Sequence, residues 1–195
     1  MFKRLLLCLA PAVFLFATTG CMGLDDDIDL KTVIEYSLKA DDSATSSSTS
    51  DGSASGYFST HDLKGNYYTQ EIFTEADYTF VNIWGTFCGP CISEMPDLGD
   101  LSREYADSNI QFVGIVCDAF DGDDTNVDWA KEIVSRTNAD YTHLLLSYSV
   151  GEWKVNDCEY VPTTLIVDSN GNILYETVGS HSKSEWRSIL NKYTN

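Results

Sequence analysis

The sequence predicts an α/β fold in which a central mixed β-sheet is flanked by helices and preceded by an N-terminal β-hairpin extension. Two observations carry that expectation. Tyr78–Trp84 and Ile110–Val116 are rich in β-branched and aromatic residues, read as buried central strands, and are separated by a segment with helical spacing. Further on, Thr163–Val167 and Asn172–Val178 flank the turn Asp168-Ser169-Asn170-Gly171, with a last helical pattern behind them. The order β-α-β-α-β, then a hairpin and a helix, closes as a mixed sheet covered by helices on both faces.

The chain has 195 residues, 43% hydrophobic and 12% aromatic, enough for one packed domain with tethers. Lys3 and Arg4 precede an apolar run, Leu5–Ala17, that is short for a bilayer span and right for the h-region of an export signal. The run ends in Thr18-Thr19-Gly20-Cys21, which resembles a bacterial lipobox with Thr18 where Leu is usual. Residues 1–20 are therefore expected to be a lipoprotein signal peptide and Cys21 to carry lipid. That places the protein outside the cytoplasm, anchored to the bacterial cell membrane. Residues 21–56 begin acidic, with Asp25-Asp26-Asp27, pass through apolar spacing from Leu30 to Leu38 that would permit a short amphipathic helix, and from Asp41 to Gly56 are almost wholly Ser, Thr, Asp, Ala and Gly, the composition of a flexible tether. The folded domain is expected over residues 57–195.

Within that domain, Phe58–Thr60 and Tyr67–Thr69 predict a hairpin around Asp62-Leu63-Lys64-Gly65-Asn66, and Ile72–Asp77 one helical turn. Ile92–Asp107 has helical spacing through Met95, Leu98, Leu101 and Tyr105, with a kink expected at Pro96. Asp121-Gly122-Asp123-Asp124 predicts the opening of a helix carrying Val127, Trp129, Ala130, Ile133 and Val134, its acids favourable at the N-terminus. Thr142–Leu146 reads as a short strand, Gly151–Asn156 as a brief helix, and Lys183–Tyr193 as the last one. The formal net charge of −18 excludes nucleic acid as a partner, because phosphate recognition needs clustered Lys and Arg.

The chemistry concentrates in Trp84-Gly85-Thr86-Phe87-Cys88-Gly89-Pro90-Cys91. A C-x-x-C spacing also serves zinc knuckles, and a haem attachment would need His where this chain has Ile92. Its setting between a strand and a helix puts Cys88 at a helix N-terminus, where unpaired N–H groups and the dipole favour thiolate. Cys91, in the first turn, is then the shielded partner that resolves a mixed disulfide. In an exported protein, Cys117 and Cys158 remain as further candidates for pairing. His61, His143 and His181 show no mutual spacing that suggests a metal site, and Asp121–Asp128 does not follow the calcium-loop pattern.

Together these features resemble the thioredoxin superfamily, and within it the membrane-tethered TlpA/ResA-like thiol-disulfide oxidoreductases. The resemblance runs from about Tyr57 to the C-terminus and rests on the hairpin, Trp84-x-x-x-Cys88-Gly89-Pro90-Cys91, Glu94-Met95-Pro96, the extra helix between central strands, and Val161-Pro162-Thr163-Thr164. It implies a thioredoxin-like fold and a cis Val161–Pro162 bond against the cysteine pair, with Val161 bonding the backbone of an extended substrate. Pro162 and Glu94 then join Cys88 and Cys91 as catalytic residues, Glu94 tuning thiol pKa and shuttling protons. Trp84, Gly89, Pro90 and Val161 form the substrate-facing set, Trp84 as a platform beside the cysteines. In this fold Cys117 and Cys158 both flank the active site, so a second disulfide between them is expected, bracing the Pro162 loop.

Gly89-Pro90 are also the intervening residues of thioredoxin, which favours a reductant. The implied function is reduction of disulfides in exported proteins, with a membrane thiol electron donor, a monomeric state, no metal, and no cofactor beyond the Cys88–Cys91 disulfide. A peroxiredoxin reading fails because the Thr-x-x-Cys pattern is absent. The alternative of another class is a metal-binding or copper-delivery module on the same scaffold.

Overall fold

The computed structural model describes residues 57–194. The expected signal peptide, lipidated Cys21 and tether lie outside the described residues. Among the described residues no helix is long and apolar enough to cross a membrane.

The chain begins with a hairpin, β1 (Ser59–His61) and β2 (Tyr67–Thr69), turned at Gly65 with φ of 85° and followed by a 3-10 helix, Gln70–Glu75. The main sheet has the order β5-β4-β3-β6-β7: β3 (Tyr78–Trp84), β4 (Ile110–Phe120), β5 (Thr142–Leu146), β6 (Thr163–Asp168) and β7 (Ile173–Val178). β3, β4 and β5 run parallel, whereas β6 and β7 are antiparallel additions beside β3. The helices are α1 (Gly89–Glu104), α2 (Val127–Thr137), α3 (Tyr148–Trp153) and α4 (Lys183–Leu190). This is the mixed sheet with an N-terminal hairpin that the sequence predicts.

Strand alternation divides the core in two. Val81 and Ile83 of β3, Val113 and Ile115 of β4, and Leu165 and Val167 of β6 pack beneath Phe58, Phe73 and Trp153, three rings in mutual contact. Phe80, Trp84, Phe112 and Val116 point the other way, toward α1, α2 and α4. Between Phe80 and Trp84 on that second face the register aligns Thr164, Asn82, Gly114 and His143 across four strands. A polar row thus lies inside the layer that carries the cysteines.

Three of the boundaries that differ from expectation do so for a clear local reason. β4 continues past Val116 to Phe120 through a register irregularity, and the Asp121 N–H still donates to Leu146 O at 2.9 Å. The acids after it do not open a helix. Asp121 accepts from the His61 backbone N–H at 3.1 Å and contacts its ring, and Asp123 accepts from Thr125 N at 2.8 Å, so these carboxylates close turns and pin the hairpin. Helix α2 starts only at Val127, behind Asn126 in the left-handed region. Helix α3 starts earlier than Gly151 because Ser147 caps it, accepting from Val150 N at 3.2 Å.

Candidate active site

Helix α1 begins at the end of a short loop, Gly85–Cys88, that leaves β3. Asp118 holds this loop: its carboxylate accepts from Thr86 N at 2.9 Å and from Thr86 Oγ1 at 2.5 Å. Cys88 is the N-cap, and its sulfur accepts the otherwise orphaned N–H of Cys91 at 3.2 Å. Gly89 and Pro90 occupy the first turn, where a missing proline N–H costs nothing. Cys88 and Cys91 are joined as a disulfide with Cα atoms 5.3 Å apart. Cys91 is wholly buried and Cys88 nearly so, while Gly89 and Pro90 are exposed.

The Val161–Pro162 bond is cis, and Val161 O lies 3.6 Å from Cys88 Sγ. Val161 is half-buried and Pro162 buried. The cysteine nearer the surface therefore sits between a helix N-terminus and a carbonyl on the loop entering β6. A thiolate at this place would be stabilised by the Cys91 N–H and the helix dipole together.

Trp84 is completely buried and packs in the same cluster as Cys88 and Cys91. It presents no surface to a substrate and belongs behind the disulfide, a correction to its placing among the substrate-facing residues. Its indole N–H donates to His143 Nδ1 at 3.1 Å, and His143 Nε2 lies 2.7 Å from Ala139 O. An indole N–H can only donate and a carbonyl can only accept, so His143 is the neutral Nε2–H tautomer. Burial depresses its pKa to about 4. Gly114 makes room for the ring, since a Cβ there would overlap His143 Nδ1.

Glu94 follows Cys91 by three residues and shares the buried stripe of α1 with Cys91, Met95, Leu98 and Leu101. It is buried, at 4% exposure, and takes three hydrogen bonds: from Asn82 Nδ2 at 3.4 Å, His181 N at 3.1 Å and Trp186 Nε1 at 3.3 Å. Desolvation outweighs those donors and holds its carboxyl above the ordinary range. Asn82 also donates to Thr164 Oγ1 at 3.0 Å, which links Glu94 through β3 to the strand that begins after Pro162.

The second disulfide expected between Cys117 and Cys158 is not formed, a correction to that expectation: both are free thiols. Cys158 Sγ–H turns to Lys154 O at 3.6 Å, within its own turn, and Cys117 sits where β4 loses regular register. Burial pushes the Cys117 thiol up to about 11 and also raises that of Cys158. Both line a cavity of about 420 Å³ beside the disulfide, with Phe87, Glu159, Tyr160 and Val161 at its wall. Among the described residues, no three His, Cys, Asp or Glu side chains gather as a metal site would require.

Sequence reasoning passes over Asn82, Asp118 and Gly114. A polar residue inside an otherwise apolar central strand is the signal that marks Asn82. Asp118 and Gly114 acquire meaning only from their cross-strand neighbours.

A Redoxin family model matches residues 39–192. Thiol-disulfide oxidoreductase ResA of Bacillus cereus is 27% identical over 122 residues, 59% of this chain and 62% of that protein. Thiol:disulfide interchange protein DsbE of Haemophilus influenzae is 26% identical over 124 residues, 63% of this chain and 62% of its own length. The chain therefore spans about 62% of the length of these relatives. Among solved structures, a thioredoxin family thiol:disulfide interchange protein from Chlorobium tepidum TLS has the same fold, with a TM-score of 0.62 at 20% identity, over 76% of this chain and 100% of that one. Matched by the family model across nearly the whole described domain, and carrying its cysteine pair at the head of α1 against a cis proline, the chain belongs to the redoxin family as a ResA-like member of the thioredoxin superfamily.

Proposed function

We propose that this protein is an extracytoplasmic, lipid-anchored thiol-disulfide oxidoreductase that reduces disulfides in exported proteins. The observation that carries the reading is the Cys88–Cys91 disulfide capping α1, with Val161 O 3.6 Å from Cys88 Sγ. In the reduced state the Cys88 thiolate attacks a substrate disulfide, forming a mixed disulfide and releasing one substrate thiolate, which takes up a proton. Cys91, deprotonated, then attacks Cys88 Sγ, releasing the second substrate thiol and closing the Cys88–Cys91 bond. Two electrons and two protons pass to the substrate, and a membrane thiol donor restores the dithiol. Glu94, three residues beyond Cys91 and buried, is assigned here as the acceptor of the Cys91 proton.

The export signal and Cys21 support the location, and Gly89-Pro90 support the reducing direction. The Cys88–Cys91 couple is expected below about −220 mV, and a measured value close to about −120 mV would reverse the assigned direction. The reading is tested by insulin reduction: Cys88→Ser abolishes it, and Cys91→Ser accumulates mixed disulfides on Cys88. Full activity of Cys88→Ser would overturn it.

A further inference from the structure

We propose that the cavity beside the disulfide is a subsite for a cationic polypeptide segment, so that substrates of this protein carry Lys or Arg next to the target disulfide. The inference rests on the oxidoreductase reading above and names the substrate chemistry that the site selects.

The cavity adjoins the reacting sulfur through Val161, whose carbonyl touches Cys88. Its walls are Ile83, Val155, the two thiols Cys117 and Cys158, and two aromatic rings that stand open to solvent, Phe87 at 71% exposure and Tyr160 at 63%. With both thiols held protonated by burial, the lining is uncharged apart from one residue. That residue is Glu159, an exposed carboxylate. An apolar slot with a carboxylate in its wall matches the aliphatic stem and charged head of Lys or Arg. The exposed rings add faces that attract the same cations.

The distribution of charge along the chain points the same way. Between Lys64 and Arg103, and again between Arg103 and Lys131, there is no Lys or Arg at all. Those stretches contain β3, the disulfide, most of α1 and all of β4. From residue 137 to residue 182, which holds the cavity's other wall and the cis proline, the single Lys or Arg is Lys154. Its ammonium is already paired with Glu176 at 2.9 Å. The acids of the same stretches include Asp118, Asp123, Asp124, Glu152, Asp157 and Glu159. The stretches that carry Cys88 and its cavity are therefore rich in carboxylates and poor in Lys and Arg, with Asp118 against the loop before Cys88 and Glu159 in the cavity wall, and such a field draws in positive segments and repels acidic ones.

The test uses three peptides with one intramolecular disulfide and identical sequence apart from the flanking residues, which are Lys, Gln or Glu. The second-order rate of reduction by the pre-reduced protein is followed at low and high salt. The Lys peptide is expected to react roughly tenfold faster than the Glu peptide at low ionic strength, with the gap closing as salt rises. The double variant Asp157→Asn, Glu159→Gln alters two exposed side chains and is expected to shrink the Lys-to-Glu rate ratio. Equal rates for all three peptides, or a ratio untouched by the double variant, overturn the subsite while leaving the oxidoreductase reading intact. Failure to reduce any of the peptides overturns that reading and the subsite with it.

Discussion

His143 makes the stability of this domain depend on pH, and the size of the effect follows from its surroundings. The ring is fixed between the Trp84 indole N–H and Ala139 O, stacked on Tyr141 with centroids 4.4 Å apart, and its pKa falls from the ordinary 6.5 to about 4 because burial penalises the imidazolium. In the unfolded chain it titrates normally. Between these two values the unfolded state holds the extra proton, so stability is complete above the unfolded value and is lost as pH falls toward the folded one. From about pH 7 to about pH 4.5 that linkage amounts to about 2 kcal/mol. The assay is chemical denaturation of the wild type and of His143→Gln across that range. The variant starts from a lower stability, but its curve is flatter by the stated amount. Groups common to both proteins, Glu94 included, cancel in the difference. Parallel curves, or an imidazole resonance of His143 that titrates near its ordinary value in the folded protein, would refute the reasoning.

Other outcomes follow from the same contacts. Gly114→Ala places a methyl where the His143 ring lies and is expected to cost about 1–3 kcal/mol or more, read as a lower denaturation midpoint. Asp118→Ala leaves the buried Thr86 N–H without its acceptor, for a loss of about 1–3 kcal/mol, and quickened hydrogen exchange in the loop before Cys88 would show the loosening. Glu94→Gln removes a buried carboxyl group three residues beyond Cys91 on the same helix face. The Cys91 thiol should therefore ionise at lower pH in the reduced variant, measured by thiolate absorbance. The variant should also lose the decline in stability that wild type shows as pH rises through the elevated Glu94 pKa.

The parts of the fold that can be read in the sequence are those written in local periodicity. The bounds of β3 and β5 coincide with their apolar runs, because a buried strand needs an unbroken stretch of large side chains. The same logic puts the cysteine pair at a helix start, since the strand before it and the stripe after it leave room for nothing but a turn. What escapes is what depends on register or on side-chain direction. Spacing alone does not decide whether Glu94 faces water or the core, because its partners, His181 and Trp186, are 87 and 92 residues away. The acids after β4 have the look of helix caps, but the hairpin, sixty residues earlier, claims Asp121. Cys117 and Cys158 do come to one cavity, yet a shared location does not aim two sulfurs at each other.

The direction of electron flow can be argued from this arrangement. Anything that stabilises a Cys88 thiolate stabilises the dithiol form and makes the couple more oxidising, and the Cys91 N–H and the α1 dipole act that way. Against them stands the scarcity of cations through all three stretches that build the site, with Glu94 buried one turn below Cys91. A strongly oxidising site would want positive charge where this chain has carboxylates. The acidic field that would select a cationic substrate would also make the thiolate less stable, so the proposed substrate preference and the proposed reducing direction share one electrostatic origin. Raising ionic strength should weaken both together, with the rate advantage of the Lys peptide falling and the Cys88–Cys91 potential moving upward. A potential that stayed fixed while the peptide preference disappeared would show that the two have separate causes.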